Sequence, residues 1–151
     1  TVHVDCFVRG RGRLMTLPYV PTAEQRSADY PLLLTTGRVL QHYNVGTMTR
    51  RTPHRELEDA DHLEINPQDA AAAGIDDGAW VQITSRYGEA VVRSRITGRV
   101  TPGLLFLSFH FPESHTNALT SSRGDPESRC PEYKVTAVRI RALTDVEVAA
   151  T

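Results

Sequence analysis

The stretch from His62 to Ile96 leaves little freedom in how this chain can fold. His62-Leu63-Glu64-Ile65 alternates as a short strand and runs directly into Asn66-Pro67-Gln68-Asp69. That tetrapeptide starts a helix: Asn caps it, Pro takes the first helical position, and an acid sits in the first turn. Ala70 to Ala73 continue the helix and Gly74 ends it as a left-handed cap. Asp76-Asp77-Gly78 makes a turn, Ala79 to Ser85 a strand, and Arg86-Tyr87-Gly88-Glu89 a hairpin connection to the return strand Ala90 to Ile96. Elsewhere, Leu32 to Thr36 reads as a buried strand by its continuous apolar run. Leu104 to Phe109 follows the turn Thr101-Pro102-Gly103, and Val135 to Arg141 closes the core. Six or seven strands with short helices suit a compact, mainly β barrel better than a parallel sheet covered on both faces.

A chain of 151 residues is one domain by length. Residues 1–29 read as a lead-in that packs on or outside the barrel, 30–142 as the barrel itself, and 143–151 as a tail. Within the lead-in, Arg9-Gly10-Arg11-Gly12-Arg13 is a turn between two strands rather than an RNA-binding tract. Pro112 to Pro131 is a long polar excursion. A net charge of −1 argues against a dedicated nucleic-acid binder. No run approaches a membrane span, and the start lacks a signal-peptide core. Cys6 and Cys130 have no metal-ligand spacing around them and read as free thiols, with a disulfide as the alternative.

The chemistry concentrates between Asp29 and Arg55. Leu32-Leu33-Leu34 empties into Thr35-Thr36-Gly37-Arg38, and a polar segment follows with Gln41, His42, Tyr43, Asn44, Thr47 and Thr49. No acid lies between Tyr30 and Arg55, against Arg38, Arg50, Arg51 and Arg55. Small hydroxyls, a glycine open to close approach and unopposed arginines suit a large anionic ligand. The plainer alternative is a hairpin corner with a solvated basic loop. Lys134 stands out as the single lysine among sixteen arginines. The acids Glu56, Glu58, Asp59, Asp61 and Glu64 read as a solvated face, and His54 and His62 as solvated or locally bonded. His110 and His115, five apart on a non-helical run, do not read as a metal pair.

The order of these pieces resembles a known family. A strand enters TGR-x-x-x-H, then come a Tyr-Asn segment, NP-x-DA-x-x-x-GI-x-DG, a hairpin, V-x-PG, an FHF run, NALT and PEYK. The series is similar to the C-terminal, molybdopterin-dinucleotide-binding domain of the dimethyl sulfoxide reductase superfamily. Asn117-Ala118-Leu119-Thr120 followed by Pro131-Glu132-Tyr133-Lys134 resembles most the formate dehydrogenase alpha subunit. The likeness covers about Tyr30 to Ala142. It implies a six-stranded double-psi β-barrel and a ligand, bis(molybdopterin guanine dinucleotide) carrying molybdenum or tungsten and shared with other domains. By the same resemblance Thr36, Gly37 and Arg38 shape the loop after the first strand. His42, Tyr43 and Asn44 line the pterin and phosphate path, and Asn117, Tyr133 and Lys134 close over the cofactor.

The resemblance also sets what this chain lacks. Metal-ligating and iron–sulfur cysteines would lie elsewhere in the enzyme, because there is no CxxC and no four-cysteine set here. The expectation is therefore one wall of a bacterial, cytoplasmic oxidoreductase, inactive alone, whose partners are other domains of the same polypeptide. A competing reading is a stand-alone double-psi barrel acting as a peptide-binding adaptor. A self-processing decarboxylase would need a Gly-Ser cleavage pair, and no such dipeptide occurs.

Overall fold

A computed structural model describes residues 4–149. Strands β1 (Leu32–Gly37), β2 (His62–Ile65), β3 (Trp80–Ser85), β4 (Glu89–Ile96), β5 (Leu104–Ser108) and β6 (Thr136–Ala142) close into one barrel in the order β1-β5-β2-β4-β3-β6. Two neighbouring pairs, β1 with β5 and β2 with β4, are parallel, and the other four are antiparallel. Exchanging β1 with β4, β2 with β5 and β3 with β6 leaves this pairing pattern unchanged. The two halves of the chain are thus interlocked copies of one crossed arrangement, a double-psi β-barrel.

Local chemistry places the six strands and the helix after β2 where the sequence predicts them, and the structure adds single-turn helices that the sequence reading did not foresee. Helix α1 (His54–Leu57) is a single turn, and α2 (Pro67–Ala73) follows β2. The Asn66 side chain accepts from the Gln68 N–H at 3.0 Å, and Gly74 ends α2 with φ 61°. The Asn66 amide also donates to the Val100 carbonyl at 2.8 Å, fastening the helix start to the turn before β5. Inward-facing Leu34, Leu63, Ile65, Val81, Ile83, Leu105, Leu107 and Val138 are fully excluded from solvent and fill the interior. In β1 only alternate positions reach that core, Leu34 and Thr36 being its buried residues. The continuous apolar run therefore does not mean burial on both faces.

Strand directions decide where the chemistry can gather. Gly37 pairs with Ser108, Leu34 with Thr136, Leu63 with Leu107 and Ser85 with Val138. The C-terminal ends of β1, β3 and β5 and the N-terminal ends of β2, β4 and β6 accordingly share one end of the barrel. Both long irregular segments, 38–61 and 109–135, rise from that end together with the β3–β4 hairpin. At the other end lie α2, the turn before β5 and α3 (Asp145–Val148), which follows β6.

One expectation about the lead-in needs amending. The Arg-Gly tract does form a turn, with Gly10 at φ 80° and a Phe7–Gly10 bridge, but among the described residues no strand flanks it. The lead-in is mostly exposed, yet Glu24 is buried against the barrel. Its carboxylate accepts from the Tyr87 hydroxyl at 2.5 Å, the Arg86 guanidinium at 3.1 Å and the Ala137 N–H at 3.1 Å.

Candidate functional site

The barrel end that carries both long loops is built on a buried acid that the sequence reading assigned to a solvated face. Asp61 is only 3% exposed. Its Oδ1 accepts from the Ser108 hydroxyl at 2.5 Å and the His110 N–H at 3.1 Å, its Oδ2 from the Phe111 N–H at 3.0 Å and the Ser114 hydroxyl at 2.7 Å. A buried carboxylate needs this many donors to offset its lost hydration. One aspartate thereby sets the course of residues 108–114 as they leave β5, which explains why Phe109 falls outside the strand. Glu58 and Glu64 are buried as well, while Glu56 and Asp59 are exposed. Glu58 pairs with Arg95 and His62, each at 2.8 Å, and Glu64 with Arg99 at 3.1 Å. The two arginine partners were invisible in sequence because they come from β4 and the turn after it, whereas His62 opens β2 four residues from Glu58.

His42 is likewise turned inward and 5% exposed. Its Nε2 bonds the Glu58 carbonyl at 2.7 Å and its Nδ1 the Thr49 hydroxyl at 2.9 Å. Phe111 packs edge-on against its ring at 5.1 Å. Both ring nitrogens are therefore engaged within the protein, and His42 braces the loop rather than lining an open path. Tyr43 and Asn44, next in sequence, face outward.

Arg38 leaves the end of β1 exposed, its Nη2 donating to the Asn44 Oδ1 at 2.7 Å. The guanidinium stands 5.9 Å from the Tyr43 ring centre and 5.8 Å from that of Phe109. Such flanking fixes a planar cation while leaving its outer edge free to meet an anion. Arg50 closes the far side by pairing with Glu113 at 2.5 Å, and its hydrogen bond holds the Glu113 carboxyl below the usual carboxylate range.

Residues nearly a hundred positions apart meet at the end of β1. The Thr36 hydroxyl donates to the Tyr133 carbonyl at 2.7 Å, and the Lys134 Nζ donates to the Thr36 carbonyl at 2.6 Å. The lysine also lies 5.2 Å from the Tyr133 ring centre. One of its N–H groups is thus used and two remain. Gly37 has a packing role that the sequence did not announce: a Cβ there would stand 2.5 Å from the Phe106 ring on β5. Asn117 lies in a one-turn 3-10 segment, Thr116–Leu119, and lines a cavity of about 270 Å³ with Val45, Phe109 and Phe111.

The structure therefore brings Thr36, Gly37, Tyr133 and Lys134 into one cluster and Arg38, Tyr43 and Asn44 into another. Asn117 sits beside the second across Phe109, and His42 lies beneath it. His110, Asp61 and Ser114 are the supporting residues that sequence reasoning missed. A histidine set between two phenylalanines after an apolar strand was the available signal, since such a residue is buried and must be hydrogen-bonded. The donor set fits a polyanionic, amide-bearing ligand: a guanidinium, an ammonium with spare donors, a phenol and a carboxamide share one end.

Known proteins give this geometry a context. The sequence profile of the molydopterin dinucleotide binding domain matches residues 32–137. The F420-dependent formate dehydrogenase subunit alpha of Methanocaldococcus jannaschii is 41% identical over 145 residues, covering 94% of this chain and 22% of its own length. Formate dehydrogenase 1 subunit alpha of Methanococcus maripaludis, also F420-dependent, is 39% identical over 135 residues, 89% of this chain and 20% of that protein. A nitrate reductase of Symbiobacterium thermophilum is 39% identical over 136 residues, 87% of this chain and 18% of its own. The chain spans about a fifth of the length of these relatives. The formate dehydrogenase relatives are archaeal, which corrects the expectation of a specifically bacterial protein. Acetylene hydratase from Pelobacter acetylenicus shares the fold, with a TM-score of 0.64 at 18% identity over 76% of this chain and 18% of that one. Among the described residues no helix is long and apolar enough to cross a membrane. A profile that runs from β1 to the start of β6, both loop clusters included, means that this chain belongs to the molydopterin dinucleotide binding domain family.

Proposed function

We propose that this domain holds bis(molybdopterin guanine dinucleotide), with molybdenum or tungsten, as one wall of a larger cytoplasmic formate dehydrogenase. Residues 30–142 are the cofactor-holding unit in this reading, with 1–29 a lead-in and 143–151 a tail. The observation that carries it is the double contact of Thr36 with Tyr133 and Lys134, which joins two distant motifs at one polar end. A polar, arginine-bearing end also favours a cofactor over the apolar groove an adaptor would need. Likeness to three formate dehydrogenase alpha subunits, at 39–41% identity, supports formate over nitrate.

The bound group supplies the two-electron chemistry with formate. This chain's own residues bind and orient it. Arg38 and Lys134 meet negative charge, Tyr43 and Tyr133 offer flat faces and hydroxyls, and Asn117 offers donor and acceptor on one plane. Asn44 holds Arg38, while Thr36 and Gly37 set the loop from which Arg38 leaves. Iron–sulfur ligation and the residues that touch formate belong to the other domains of the polypeptide. The test is dye-linked activity of the full-length protein carrying this domain. Formate-dependent dye reduction is expected, and nitrate-dependent dye oxidation without any formate activity would overturn the substrate assignment.

A further inference from the structure

His110 is fully buried, yet it reaches the exposed ligand end through one loop. Its Nε2 accepts from the Val39 N–H at 3.0 Å, so the ring hydrogen lies on Nδ1, which donates to the Asn44 carbonyl at 2.5 Å. One imidazole thereby pins both sides of the bend that follows Arg38. The ring has little freedom of its own: Asp61 accepts from the His110 N–H, and the His42 and Phe109 rings lie 5.6 Å and 5.4 Å away. Asn44 sits at φ 50°, a left-handed conformation that asparagine adopts more readily than most residues. From that conformation its side chain accepts from Arg38.

We propose that His110 is a positioning residue for Arg38, fixing the Asn44 backbone so that the Asn44 carboxamide holds the guanidinium at the ligand end. Its purpose rests on the cofactor-holding reading; its geometry does not. A long exposed arginine ordinarily samples many rotamers, and freezing them is part of the cost of gripping an anion. Here the cost is met on folding, and the surface Arg38 inherits its order from a residue that never touches the ligand.

The two ring nitrogens can be separated by substitution. Asparagine in His110→Asn reaches the place of Nδ1 and can keep the donation to Asn44, whereas glutamine in His110→Gln reaches the place of Nε2 and loses it. Asn44→Gly keeps the left-handed backbone open but removes the acceptor for Arg38. Nitrogen NMR of the 151-residue chain reads Arg38 directly, with amide exchange in β3 and β4 showing that each variant is folded. Wild type and His110→Asn should give resolved, slowly rotating Arg38 guanidinium signals; His110→Gln and Asn44→Gly should give averaged ones. The double variant should be no worse than either single. Unchanged Arg38 signals in a folded His110→Gln chain would overturn the proposal. Titration with guanosine diphosphate at millimolar concentration is the second arm, and weakening of about tenfold is expected in His110→Gln and Asn44→Gly. A wild-type chain with an ordered Arg38 that ignores the nucleotide would overturn the cofactor reading and leave the positioning role standing.

Discussion

Glu58 shows how much a single side chain in this molecule depends on residues far from it in sequence. Burial pushes its carboxyl up, but hydrogen bonds and charge from Arg95 and then His62 outweigh that and hold it below the usual range near 4.5. A carboxyl depressed in the folded state adds stability above its unfolded value and loses it as pH falls through the lower folded value. Glu58→Gln should therefore unfold more easily at pH 7, by about 1–2 kcal/mol given the half-open Arg95. The gap to wild type should close below about pH 4.5. Denaturant unfolding across pH 3–7 measures this, and a gap that stays constant would contradict it. The same residue marks the limit of reading a sequence. Arg38, Tyr43 and Lys134 were legible as site candidates because their unusual local company is a sequence property. The burial of Glu58, Asp61 and Glu64 was not, because their donors come from other elements, and a run of acids without nearby bases reads as solvated.

At the scale of elements, the strands and α2 were legible to within a residue or so, since capping, turn chemistry and alternation are local. The two long segments were not, because their path is set by tertiary hydrogen bonds rather than by propensity. Gly88 in the β3–β4 hairpin gives a direct probe of that packing. A Cβ there would meet the Ala118 carbonyl oxygen at 2.7 Å, so the hairpin and the Asn117 segment can lie together only without one. Gly88→Ala should cost about 1–3 kcal/mol and lower the melting temperature, as overpacking does. An unchanged melting temperature would show that the contact yields freely. At the opposite end α3 is a single turn held by its cap. The Thr144 N–H first, then Arg141 and the Thr144 hydroxyl, lower the Glu147 carboxyl to about 2. The cap should persist until the pH approaches that value and then melt, which carbon NMR of the Glu147 carboxyl would follow. Titration with a midpoint near 4.5 would mean that the capping box does not hold.

For the molecule as a whole, the central claim is polarity between two ends: one holds the cofactor and the other only closes the barrel. The fold itself was legible from the order of its pieces, but which end each loop occupies required the strand register. A domain that is one wall of a larger site should fold alone yet give no formate oxidation above a buffer control. Dye-linked turnover by the purified chain would contradict that. Lys134 and Arg141 lie at opposite ends of the segment that includes β6, and they separate the two ends of the barrel. Lys134 bonds the Thr36 carbonyl, and Arg141 bonds Gln82 at 2.8 Å and Glu147 at 2.6 Å beyond the reach of that site. In the full-length protein, guanine nucleotide and metal released per polypeptide should be unchanged in Arg141→Ala and reduced in Lys134→Ala. The lysine's expected contribution is about one to two orders of magnitude in affinity. Equal occupancy in the two variants would contradict the account.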